Sequence, residues 1–80
     1  MWEAVANPGQ SGTVVAWARA WETEGLEAKE VYAAGERIVL VAHFTDPASA
    51  ERAMAEPATL HPPTGALARD GIAWTFERVG

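Results

Sequence analysis

The chain has 80 residues, 6 basic against 11 acidic, a formal net charge of −5, 49% hydrophobic residues, four tryptophans and no cysteine. That length describes one domain, 1–80, which removes a smaller share of its surface from water than a larger one does. Without cysteine, disulfides, Fe–S clusters, thiolate zinc sites and a nucleophilic thiolate are excluded, and the acidic balance disfavours nucleic acid and anionic membranes as partners. No stretch approaches the roughly 20 apolar residues of a membrane span, and Met1-Trp2-Glu3-Ala4-Val5 lacks the pattern of a signal peptide, so a cytoplasmic location is expected.

Trp2 to Ala6 reads as a short strand. Asn7-Pro8-Gly9-Gln10 reads as a helix start, with Asn7 as N-cap, Pro8 at the first helical position and Gln10 closing a capping box. Gly9 and Gly12 weaken that turn and push the start toward Ser11. Val14, Trp17, Ala18 and Trp21 recur at helical spacing, and Gly25 is a stop signal. Glu27 to Ala33 and Arg37 to Phe44 form a hairpin across Ala34-Gly35-Glu36. Asp46 caps a second helix with Pro47 at its first position, Ala50, Ala53 and Met54 on its apolar side, and Pro57 at its end. Residues 57–71, with three prolines and two glycines, read as a loop, and Ile72 to Val79 alternates as a last strand.

The order strand, helix, strand, strand, helix, strand predicts an α+β, ferredoxin-like βαββαβ fold: a four-stranded antiparallel sheet with two helices on one face. Ile38, Leu40, Ala42 and Phe44 then point one way from the third strand, and Val39, Val41 and His43 the other. Both sides want cover, while two helices serve only one. A second copy packed on the other sheet face is the economical cover, so a homodimer is expected.

The chain resembles the dimeric α/β-barrel superfamily, and within it the antibiotic-biosynthesis monooxygenase family, most closely short actinobacterial proteins of that type. The resemblance rests on Met1-Trp2-Glu3, Gly9 with Ala16-Trp17, Glu30-Val31-Tyr32, Arg37-Ile38-Val39-Leu40-Val41, Pro62-Pro63 and Trp74-Thr75-Phe76. It implies two sheets packed face to face and a pocket between sheet and helices in each subunit. Its members include monooxygenases, haem-degrading enzymes and isomerases, so it implies no single activity.

Candidate chemistry is sparse. His43 is the first candidate for a general base or a haem ligand, and a local hydrogen bond at the strand end is the structural alternative. Asn7 lies near the place where some haem-degrading and quinone-forming members of that superfamily hold an oxygen atom with an Asn, a Trp and a His, a spacing this chain does not match, and helix capping is the favoured explanation. Trp17 and Trp21 share a helix face and can wall a flat aromatic ligand or fill the core, and Trp74 on the last strand has the same two readings. His61, before Pro62-Pro63, can sit over a pocket mouth. Trp2 is read as a terminal residue less costly to lose than Trp17. Glu22, Glu24, Glu27 and Glu30 read as a solvated face, and Glu3 as an ion-pair partner for Arg37 or Arg78 across the sheet. No metal-ligand spacing, phosphate loop or nucleophile motif is present. The same element order fits an RNA-recognition domain, but the third strand lacks its stacking aromatics. Two functions therefore stand: a dimeric module for a small apolar or aromatic ligand or a protein partner, and a cofactor-independent monooxygenase or oxidase acting on an aromatic substrate. No cofactor is required by either, with haem the one considered.

Overall fold

The computed structural model describes residues 1–55, 60–69, 71–76 and 79. The chain is α+β, in the order β1 (Trp2–Val5), α1 (Ser11–Ala20), β2 (Leu26–Ala34), β3 (Arg37–Phe44), α2 (Pro47–Ala55) and β4 (Ile72–Ala73). The four strands form one sheet in the order β2-β3-β1-β4, with every neighbouring pair antiparallel.

The register explains which residues share a face. Trp2 lies opposite Leu40 on β3 and Ala73 on β4, and Leu40 lies opposite Val31 on β2. Ala4, Ile38 and Ala33 make the next row on that side. Val14 and Ala18 of α1 are buried above these rows, and Trp2, Ala4, Ile38 and Leu40 are each at most 3% exposed. The opposite face carries the row Tyr32, Val39, Glu3, Ile72, flanked by Val41 and Val5. There Val5, Val39 and Val41 are half-buried, and Tyr32 and Ile72 are exposed. The alternation read in β3 is thus the alternation of the sheet.

Helix α1 begins at Ser11, and Gln10 holds its N-cap position without a side-chain bond. Asn7 is not the cap: its Nδ2 donates to the carbonyls of Gly65 and Leu67, at 2.8 and 3.0 Å, and so fastens the proline-rich loop to the end of β1. Pro8, Gly9 and Gln10 separate Asn7 from the helix, and the loop carbonyls take its amide instead. The helix stops at Ala20, earlier than Gly25 suggested, and Lys29 Nζ donates to the Trp21 carbonyl, placing a cation at the negative end of the helix. Gly25, at φ +84°, instead turns the chain into β2, and a Cβ there would overlap Ser49 of α2. Asp46 does cap α2: its Oδ1 accepts the Ser49 backbone N–H at 2.8 Å. That bond holds the Asp46 carboxyl below the usual carboxylate range.

The last strand is shorter than its alternation predicts. Ladder pairing covers Ile72 and Ala73 and continues through reciprocal bonds between Trp74 and Met1, while Glu77 and Arg78 lie outside the described residues. Trp2 is also not a peripheral residue. Its indole packs on Trp17 with centroids 5.1 Å apart, and a Cβ on Gly71 would overlap the ring. Trp17 is only half-buried.

Trp2→Ala is therefore expected to cost about 3–5 kcal/mol, the usual range for deleting a buried Trp. Trp17→Ala should cost less, and urea denaturation midpoints of the two variants check the order.

Candidate functional site

Strand β3 is longer than β1 in register: Leu40 meets Trp2, and Val41 to Phe44 extend beyond it. On the far side of β1, Thr75 and Phe76 likewise run past the Trp74–Met1 pairing. Between these two extensions lies a cleft of about 620 Å³, closed at its inner end by Met1 and bordered by Ala50, Glu51 and Met54 of α2. Its walls are mainly apolar, with His43, Thr45, Asp46, Glu51 and Thr75 as polar groups. Val41 to Phe44 of β3 line one side of the cleft, Thr75 and Phe76, beyond β4, line the other, and α2 borders it.

His43 stands at the edge of this cleft in a defined setting. Its Nε2 lies 3.0 Å from Glu30 Oε1, and Glu30 Oε2 accepts the Tyr32 hydroxyl at 2.7 Å. The three side chains come from neighbouring strands, with Glu30 opposite Val41 and Ala28 opposite His43. An ionised carboxylate only accepts, so Nε2 carries the proton of this bond and Nδ1 is left as the basic nitrogen of the neutral ring. Hydrogen bonds from His43, and then Tyr32, lower the Glu30 pKa below its ordinary value, and the same carboxylate raises that of Tyr32. This is the local hydrogen bond that a strand-end histidine was expected to make, and it is also the second-residue support that a general base needs.

The other candidates do not converge on His43. Asn7 lies two residues past Val5, which is opposite Arg37, so it sits at the other end of the sheet, beyond a residue already roughly 20 Å from His43 along β3 at about 3.3 Å per residue. Trp17 and Trp21 pack in the core, and neither borders a described cleft. Trp74 is 40% exposed, paired with Met1 on the side of the sheet that carries Glu3. His61 borders a second cleft of about 500 Å³, with Trp2, Met54 and Leu60, and does not line the cleft that His43 borders. The clefts share Met54. Among the described residues no group of three or more His, Cys, Asp or Glu side chains is placed to hold a metal ion. No described helix is long and apolar enough to cross a membrane.

Glu30 and Tyr32 are the site residues that sequence reasoning missed. Glu30 was grouped with the solvated acids, yet the alternation that puts Val41 and His43 on one face also puts Glu30 and Tyr32 there. The hairpin register carried that signal. On the same face Arg37 Nε and Nη2 both donate to Glu3 Oε1, at 2.8 and 2.6 Å, as one of the two pairings read from the sequence. The chain matches no family model, no curated protein and no solved structure.

Because the folded-state pKa of Glu30 is lowered, its contribution to stability is full above its ordinary value of 4.5 and is lost as pH falls through the lowered value. In Glu30→Gln that acid-side loss should shrink, and urea midpoints of both proteins between pH 6 and pH 3 (roughly the carboxylate range) check it.

Proposed function

We propose that this protein is a homodimeric binding module, with the sheet face opposite α1 as the dimer interface and the cleft at the end of β3 as its ligand site. The observation that carries the reading is the character of that face. Val5, Val39 and Val41 run through its middle, Tyr32, Ile72 and Trp74 surround them, and its carboxylates Glu3 and Glu30 are each bonded on the same face. A chain of net charge −5 repels its copy except where the meeting surfaces are apolar and internally balanced. The strand order, together with Met54 of α2 beside Trp2 and Ala73, supports a ferredoxin-like arrangement with both helices on one side. That arrangement agrees with the resemblance to the dimeric α/β-barrel superfamily. The cleft suits a ligand with an apolar or aromatic body, and His43 supplies the polar contact at its edge.

One observation favours a second reading, a cofactor-independent monooxygenase or oxidase of aromatic substrates. Glu30 orients the His43 ring, and an oriented neutral imidazole is suited to accept a phenolic proton. The phenolate so formed is easier to oxidise than the phenol, and molecular oxygen is the oxidant in this reading.

Light scattering at micromolar concentration should give a dimer for the wild type and a monomer or unfolded chain for Val39→Lys; a wild-type monomer refutes the interface. Oxygen uptake with an anthrone-like phenol separates the readings. The module predicts binding without uptake, and the enzyme predicts uptake that falls on the order of 10²-fold or more in His43→Ala.

A further inference from the structure

We propose that the outer edge of β2 is a pairing surface for a second copy of this chain, which adds its own β2 antiparallel with Val31 against Val31. This contact is separate from the sheet-face interface, because it runs in the plane of the sheet and leaves Val5, Val39 and Val41 free.

The hydrogen-bond phase of the hairpin defines the edge. β2 ends the strand order, with β3 on one side only. The two-residue turn at Gly35 and Glu36 closes on Ala34 and Arg37, so that pair exchanges hydrogen bonds. The alternation of an antiparallel ladder carries the same role to Tyr32–Val39 and Glu30–Val41. From the other side of β3, the Ala6 N–H bond to the Glu36 carbonyl gives the same phase. Lys29, Val31 and Ala33 therefore aim their backbone N–H and C=O groups away from β3, and no described residue bonds to them.

The usual protections of an edge are missing here. Natural sheets blunt their edges with short strands, proline, outward lysines, bulges or a covering segment. β2 has nine residues and no proline, and its bulge lies at the far end, between Leu26 and Ala28. Its lysine is turned inward, with Lys29 Nζ donating to the Trp21 carbonyl at the end of α1. Tyr32, Ala33 and Ala34 are exposed.

The side chains select a second copy and one register. Two strands related by a two-fold axis normal to the sheet pair residues whose numbers have a constant sum, and only even sums keep side chains on matching faces. Centring on Val31 sets Val31 against itself and Lys29 against Ala33, so all the outward groups of these residues are paired. Glu30 then faces Tyr32, and Ala28 faces Ala34. Glu30 and the Tyr32 hydroxyl already bond within one chain, at 2.7 Å, and the same match now repeats across the pair. Centring on Glu30 would oppose two carboxylates, and centring on Lys29 two ammonium groups, both unfavourable. Centring on Tyr32 would leave Lys29 against the Gly35 turn. A chain of net charge −5 needs a contact that opposes no two carboxylates, and the Val31 register is such a contact.

The test uses the 80-residue chain and residue-resolved amide hydrogen exchange. A two-strand contact is smaller than a standard interface, so association in the range of about 0.1–1 mM is expected. Between about 20 μM and about 2 mM, exchange at Lys29, Val31 and Ala33 should slow about twofold or more, the reciprocal of the unpaired fraction, with Glu30 and Tyr32 already protected at the lower concentration. Ala33 is exposed and its N–H points outward, so Ala33→Pro leaves the β2–β3 ladder intact and should abolish the concentration dependence at Lys29 and Val31. Because the chain has no cysteine, single cysteines read the register. Under oxidation Val31→Cys should give a disulfide-linked dimer, since facing residues of a bonded pair stand about 5.5 Å apart. Ala33→Cys, roughly 14 Å from its own counterpart, should give several-fold less. Fast exchange at the outward amides at both concentrations overturns the proposal. Slow exchange at both means that the chain covers its own edge, and overturns it too. Equal cross-linking at positions 31 and 33 shows collision without a register and overturns the paired strand. A wild type that is monomeric at micromolar concentration refutes the face interface and leaves these results unaffected, so the two readings fail separately.

Discussion

Three elements and the chain ahead of β4 meet at Trp2. Its row joins Leu40 of β3 to Ala73 of β4, Trp17 of α1 tilts against it, and Gly71 leaves the chain just enough room to pass over its edge. A chain of 80 residues has little apolar area to spend, so one large side chain shared between strands and helix does the work of several smaller ones. The small residues around it follow from that choice. Ala4, Ala6, Ala18 and Ala66 are all buried. Asn7 extends the same arrangement by bonding the proline-rich loop back onto the end of β1, over the buried Ala66.

The two faces of the sheet differ in how they treat charge. On the core face the one charged side chain of β2, Lys29, reaches the carbonyl end of α1, where the helix dipole receives it. On the other face the ionisable groups are bonded to one another: Glu3 with Arg37 and Glu30 with His43 across strands, and Glu30 with Tyr32 along β2. These pairs are exposed and contribute little to stability in water. Their value lies in what they permit. A face whose charges are already bonded to one another can be covered by apolar surface without stranding an ion.

The cleft lies beside the part of β3 that runs past Leu40, the residue opposite Trp2, and Thr75 and Phe76 line it from the β4 side. His43 borders the cleft with its ring held by Glu30.

Much of this protein was determined by local sequence. The β3 strand spans Arg37 to Phe44 because apolar residues run unbroken between a hairpin turn and a capping Asp46, and α2 starts at Pro47 because proline fits a first helical turn and little else there. The Glu3–Arg37 pair was legible as one of two options, since both residues sit in strands of opposite direction. Asn7, Trp2 and Glu30 were not legible. An asparagine before a proline caps a helix or binds a distant loop with equal local logic, and only the folded chain brought the Gly65 and Leu67 carbonyls within reach. A tryptophan at position 2 has few sequence neighbours, so its burial depended on β3, β4 and α1 arriving around it. Glu30 became a partner of His43 only when the hairpin register set the two on one face, because pairing across a sheet is a property of register, which local sequence constrains only in part.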